Sequence, residues 1–257
     1  MSDQPAFRRV LRIAAGAIVV VVMAATVQDL ARDSDPTVEG SSPDLATPSP
    51  TAPSQSRDPS APLLIDLIVS DADVGPTLTV AGMQGGNGLS QPTLDLCNGT
   101  YPSEERRTAR LQVRAVDNLG DTALSTEAVL YTSGADTANA FTELRRTAEN
   151  CPSGPVDSPV GLPTVTTRFR PAPDANWPQV PQVERLAFAF DSIDNSGDST
   201  HSVAVYLRRG RALLGVYFSH ADAPTAVVDG KTALGDIVNI FAARLAKLPL
   251  AAISTTA

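Results

Sequence analysis

Hydrophobic and polar positions divide the chain into three stretches of different texture. Ile13 to Gln28 is uncharged and mostly apolar, Asp29 to Pro62 has almost no apolar periodicity, and Leu63 to Ala257 alternates short hydrophobic segments with polar breaks. In the third stretch, period-two alternation or β-branched and aromatic runs predict seven strands: Thr77 to Ala81, Thr108 to Val116, Ala123 to Thr132, Val165 to Phe169, Val183 to Phe190, His201 to Arg208 and Ala212 to Ser219. Two segments carry the helical period instead. Ala138, Phe141, Leu144 and Ala148 make a stripe over Thr137 to Asn150, behind a cap at Asp136 and stopped by Cys151-Pro152. Leu234, Ile237, Val238, Phe241, Leu245 and Leu248 make another over Lys231 to Lys247, behind Asp229 and Gly230. Both helices are expected to lie on a sheet with one face buried.

Arg209-Gly210-Arg211 reads as the turn of a hairpin between the last two strands, and Asp194 to Asp198 links the pair before it. Three consecutive strands with short polar links form an antiparallel meander, and the helices come after strands without alternating strictly with them. The expected class is therefore α+β, not a doubly wound parallel sheet.

The first 35 residues read as an export or anchoring signal: Arg8, Arg9 and Arg12, then the apolar run, then Asp29, Asp33 and Asp35. The 16 uncharged residues would span about 24 Å as a helix, short of a roughly 30 Å hydrocarbon core, and snorkelling by Arg12 with Val10 and Leu11 would close the gap. A retained anchor and a cleaved signal peptide, with Val22-Met23-Ala24 as its best processing site, both stay open. Either way the positive-inside rule leaves residues 1–12 as a short basic cytoplasmic segment, with 13–28 as anchor or signal peptide, and puts the chain from Asp29 onward outside the membrane. Residues 29–62, with six prolines between Pro43 and Pro62, are expected to be a disordered Pro/Ser/Thr-rich linker, leaving 63–257 as an extracytoplasmic domain with its own core.

The charge balance is 20 basic against 28 acidic residues, a net of −8, which argues against sequence-independent nucleic-acid binding. The expected partners are the cell membrane, through the N-terminal helix, and an unidentified small ligand or envelope protein. Cys97 and Cys151, the only cysteines, are expected to pair as a structural disulfide in an oxidising compartment.

Tests for chemistry return little. His201 and His220 have no Gly-x-Ser-x-Gly elbow to serve and read as strand-end surface residues. No catalytic residue, metal ligand or cofactor is assigned. The Asp194–Asp198 cluster lacks the spacing of a calcium loop, and Gly82, Gly85, Gly86 and Gly88 read as a flexible turn, since no phosphate-loop pattern accompanies them. Arg106 and Arg107 beside Glu104 and Glu105, and the cluster Arg208, Arg209 and Arg211, read as solvated faces. Trp177 is expected to fill the core, and the Asn98-Gly99-Thr100 sequon to be coincidental. A non-enzymatic binding domain is the expectation, with a structural adaptor or an envelope hydrolase built on one of the histidines as alternatives.

The order of pieces resembles the PknH-like extracellular sensor domain family of actinobacteria. The residues carrying the likeness are Pro62-Leu63-Leu64, Ser70-Asp71-Ala72-Asp73-Val74-Gly75, Leu94-Asp95-Leu96-Cys97, Ser125-Thr126-Glu127-Ala128-Val129-Leu130-Tyr131 and Glu149-Asn150-Cys151-Pro152, ahead of the final hairpin and long helix. The resemblance implies a strongly twisted antiparallel sheet with two main helices packed on it and a cleft for an unidentified ligand, and no catalytic residues. The chain departs from the family's receptor kinases in having no kinase domain and one cysteine pair where they have two, and from its lipoproteins in having no lipobox cysteine.

Overall fold

The computed structural model describes residues 58–159 and 161–254. The expected basic segment, anchor and most of the linker lie outside them, and among the described residues no helix is long and apolar enough to cross a membrane.

All seven strands form one antiparallel sheet: β1 (Thr79–Gly82), β2 (Arg107–Val116), β3 (Thr122–Tyr131), β4 (Thr166–Arg170), β5 (Glu184–Ile193), β6 (Ser199–Arg209) and β7 (Ala212–Ser219). Their spatial order is β1-β2-β3-β7-β6-β5-β4. Two meanders thus meet where β3 pairs with β7, with Glu127 opposite Gly215. The helix α1 (Gly134–Glu149) comes after β3, and α2 (Leu234–Ala246) with the short α3 (Leu250–Ile253) comes after β7. This is the α+β class that the strand pattern predicts.

The helices take opposite faces of the sheet. Ile237, Val238, Phe241 and Leu245 of α2 join Val203, Val205, Leu214 and Val216 in one core. Phe141 and Leu144 of α1 join Val129, Tyr131, Tyr206 and Leu213 in the other. Central β3 is consequently buried at all ten positions, where a strand with one wet face would alternate.

Helix α1 begins earlier than its apolar stripe predicts, because Ser133 supplies the cap in place of Asp136. The Ser133 hydroxyl accepts from the Asp136 amide at 3.2 Å and donates to the Asp136 carboxylate at 2.6 Å. Helix α2 begins later than predicted. Asp229 and Gly230 have φ of +48° and +72°, and Val228 bridges to Lys231, so a primed turn occupies the first residues of the expected helix.

The domain also begins earlier than the linker's composition suggests. Within residues 58–62, the end of the expected linker, Asp58 is buried and Ser60 and Ala61 are half-buried, and Ala61–Asp66 is a 3-10 turn. Asp58 accepts from both terminal guanidinium nitrogens of Arg211 at 2.5 and 3.0 Å, and each side chain of the pair is 1% exposed. Arg211 also donates to Ala252 O at 2.9 Å and Tyr131 O at 3.1 Å, while Arg209 donates to Leu248 O at 2.7 Å. The expectation of a solvated arginine cluster therefore fails at Arg209 and Arg211. These two hold carbonyls at the C-terminal ends of the last helices, where cations are favoured, and Arg211 also clasps the N-terminal segment. Gly210, φ +56°, makes the approach possible, since any side chain there would collide with Ile253.

Candidate functional site

The face that α1 covers is covered over half its length only. Beyond Val129, Leu213 and Tyr206 the inward positions turn polar, and one row across four strands shows how. Gln112 lies opposite Glu127, Glu127 opposite Gly215, and Gly215 opposite Tyr206. Gly215 leaves a gap in this row, and the ring of Tyr217, two residues along the same face, leans back over it, so that a Cβ on Gly215 would collide with the Tyr217 hydroxyl. That hydroxyl reaches 3.4 Å from Glu127 Oε2.

Above this floor is a cavity of about 310 Å³. Tyr206, Tyr217 and Phe190 supply aromatic surface, Ser125, Ser202 and Thr200 supply hydroxyls, and Leu162 and Pro163 lie across from them. The volume sits at the lower end of the range for small-molecule sites, roughly 300–1,000 Å³.

The wall nearest the sheet edge is the segment from Met83 to Asn98, and two arginines of β2 fasten it. Arg107 donates from Nη1 to Gln91 O at 2.7 Å and from Nη2 to Leu89 O at 2.7 Å. Arg110 pairs through Nε with Glu127 and donates to Gly85 O at 3.0 Å and to Gln112 Oε1 at 2.6 Å. Glu104 accepts from the amides of Thr93 and Leu94 at 2.8 and 3.2 Å, and the Thr93 hydroxyl donates to Glu127 at 2.8 Å. Arg107 is 5% exposed, so the expected solvated face becomes a fastening there, while Arg106, 58% exposed, stays solvated. The glycine-rich turn is pressed against β2 in the same way. Gly86 O accepts from the Gln112 amide at 2.9 Å, and a Cβ on Gly86 would lie 2.6 Å from Gln112 O.

The disulfide closes the far end of this wall. Cys97 and Cys151 are bonded across a Cα–Cα distance of 6.0 Å, joining the segment before β2 to the end of α1. Cys97 and Asn98 adopt φ of +60° and +48°. The Asn98 side-chain amide donates to Val156 O and Pro163 O, both at 2.9 Å, and the residue is 9% exposed, so the sequon asparagine is occupied as a strut between two walls.

A second cavity of about 240 Å³ lies behind the wall and shares Pro92, Asp95, Asn98 and Leu162 with the first. Asp95 stands on the ridge between the two. Asp95 is itself exposed to solvent; the protein around it and the Glu127 charge push its carboxyl upward, and Arg110 pulls it back. Burial pushes Glu104 up to about 7 although Arg107 opposes it. Tyr206 and Tyr217 are both pushed well above the usual phenol range by burial, so they act here as neutral hydroxyls.

The other residues that sequence reading singled out stand elsewhere. His201 lies on the opposite face of β6 from Ser202, 11% exposed, with Nδ1 3.1 Å from Asp191, and His220 is exposed with φ +54°. Neither histidine lines either cavity. Asp194 and Asp198 fold into their own turn, where Asp194 accepts from the amides of Ser196 and Asp198 at 2.9 and 3.0 Å, and the turn stands at the cavity rim. Among the described residues no group of acidic, His or Cys side chains could hold a metal. Trp177 packs on the α2 side, half-buried, with its ring against Gly235 and the Arg185 guanidinium 5.6 Å from its centre.

No protein-family model and no curated protein matches the chain. Among solved structures it is similar to the extracellular domain of PknH from Mycobacterium tuberculosis, at 11% identity over 74% of this chain and 96% of that one, with a TM-score of 0.39. It is also similar to a putative uncharacterized protein from Mycobacterium smegmatis, at 12% identity over 73% and 97%, with a TM-score of 0.37. The first of these is the domain type that the sequence resembles.

Proposed function

We propose that the chain is a non-enzymatic, extracytoplasmic binding domain that captures a small ligand in the 310 Å³ cavity, on a membrane stalk formed by residues 13–28 and the linker after them. The observation carrying this reading is the construction of the cavity. Its floor is a row of polar side chains at matched strand positions, its wall is fastened by two arginines, and no histidine lines it, nor does any cluster among the described residues that could hold a metal ion. A few fixed polar groups in a partly aromatic concavity bind and orient a ligand without supplying a nucleophile and base. The Cys97–Cys151 bond supports an oxidising, extracytoplasmic setting.

Native mass spectrometry of the chain, purified from an exporting host without reductant, tests the reading. A small molecule retained by the parent and lost in Ser202→Trp, which fills the cavity from β6, is the expected result. Equal retention by both, or by neither after incubation with envelope extract, would remove the cavity from the function.

A further inference from the structure

We infer that the cavity is built for a ligand carrying a protonated amine or guanidine on a compact apolar body, an inference that rests on the binding reading above. Five ionisable groups other than the tyrosines line it: Asp95, Arg110, Glu127, Asp194 and Asp198. The one cation is already committed. Arg110 is 3% exposed, and its three nitrogens are held by Glu127, Gly85 O and Gln112. Glu127, 2% exposed, accepts from Arg110 and Thr93 on Oε1, and the Tyr217 hydroxyl lies 3.4 Å from Oε2. The pair cancels, and its burial keeps both members from an incoming ion.

Three carboxylates remain. None of Asp95, Asp194 and Asp198 has an ion pair among the described residues, and the latter two are engaged by hydroxyl and amide donors of their own turn. Apart from its own backbone amide, the Asp95 carboxylate has no hydrogen-bond partner. An anionic ligand would meet three carboxylates that have no ion pair and no free cationic donor, whereas a cation could pair with the exposed carboxylate of Asp95. The aromatic lining adds to the preference, because Tyr217 and Phe190 at the cavity surface accommodate apolar groups and favour a cation over an anion. A second, independent sign of a missing partner is Thr122. It is 4% exposed, lines the same cavity, and its hydroxyl has no hydrogen-bond partner.

The test uses three probes of one shape, phenethylamine, phenethyl alcohol and hydrocinnamate, titrated into the oxidised full chain near neutral pH and monitored by saturation-transfer NMR. Phenethylamine is expected to bind about tenfold more tightly than hydrocinnamate, with the alcohol between them. Asp95→Asn is expected to erase that order, and Ser202→Trp, with Ser219→Trp as a second filling variant, to abolish all three signals. Hydrocinnamate binding as well as the amine, or an order unchanged by Asp95→Asn, overturns the inference. If the three probes bind equally and both filling variants remove them, the cation preference falls and the binding cavity stands. If none binds up to its solubility limit, both readings fall.

Discussion

Asp58→Asn is the sharpest perturbation of the fold. The substitution removes one charge and one of the two acceptor oxygens, which serve the Ser60 amide at 2.9 Å and the Thr108 hydroxyl at 2.6 Å respectively. Arg211 then keeps only neutral acceptors, namely Ala252 O, Tyr131 O, the Thr108 hydroxyl and the remaining side-chain oxygen, at a site where its side chain is 1% exposed. Leaving one member of a buried pair without its partner costs about 3–5 kcal/mol, and for a domain of this size each kcal/mol moves Tm by about 2–4 °C, so a loss of roughly 10 °C is expected. The acid limb gives an independent magnitude. Burial by itself would raise the Asp58 carboxyl, but hydrogen bonds from Arg211, Thr108 and the Ser60 amide outweigh it and hold the group at about 2, against an ordinary 3.8. A depressed carboxyl contributes stability that is complete above pH 3.8 and drains away as the pH falls toward 2, about 2 kcal/mol in all. Urea denaturation monitored by the fluorescence of Trp177, at neutral pH and at about pH 3, measures both quantities in the parent and the variant. The variant should start lower, and the gap between parent and variant should narrow from neutral pH to about pH 3, because the titration of every other carboxyl is common to both. A variant within 1 kcal/mol of the parent, with the same acid slope, would refute the reasoning and return the edge of the domain to residue 63.

Three further outcomes rest on the same geometry. Gly215→Ala should leave the backbone unstrained but drive Tyr217 off the cavity floor, costing about 1–3 kcal/mol by overpacking, with a changed tyrosine near-ultraviolet dichroism as the readout. Reducing Cys97–Cys151 should lower stability by about 4 kcal/mol on the chain-entropy model and increase hydrogen exchange at Leu96–Asn98, measured by mass spectrometry. Glu104 has its carboxyl raised to about 7, so the folded state holds a proton that the unfolded state releases. Stability should therefore fall as the pH rises from about 5 to 7, and Glu104→Gln should flatten that slope in denaturant titrations.

The strands were legible because the half-buried ones alternate, and the errors lie where polar residues do structural work. Phe190 closes the apolar pattern of β5, yet the strand runs to Ile193. Asp191 there pairs with Arg170 at 2.7 Å, and Ser192 lies opposite Thr200 at the cavity. Polar residues that look like the start of a turn are thus strand residues facing a wet space. The cavity floor shows the same limit more strongly. Gln112, Glu127 and Tyr217 sit on three strands that composition identifies, but what unites them is register, and register depends on which strand pairs with which. The Asp58–Arg211 pair spans 153 positions and carries no local signal at either end. Asp58 stands among prolines and serines, and Arg211 comes directly after a turn glycine, so each taken alone reads as solvated.

The Arg110–Glu127 pair bears on whether the cavity is a site or a packing defect. Both side chains are almost fully buried, and a buried ion pair is on average no more stabilising than apolar residues of similar volume. Stability alone therefore does not account for placing it on the central strands. Its geometry does other work. Glu127 projects from β3 and gathers Arg110 from β2, Thr93 from the wall and Tyr217 from β7, and Arg110 carries the connection outward to Gly85. Four separate segments are thereby fixed around one carboxylate, and the space they enclose keeps its shape without a side chain filling it. Gly215 belongs to the same construction, because only a residue without a side chain lets Tyr217 lie across the row. A defect would collapse onto such a gap, whereas this network holds the gap open with its hydroxyls and aromatic faces turned inward, and leaves Asp95 on the ridge as the carboxylate with no cation of its own.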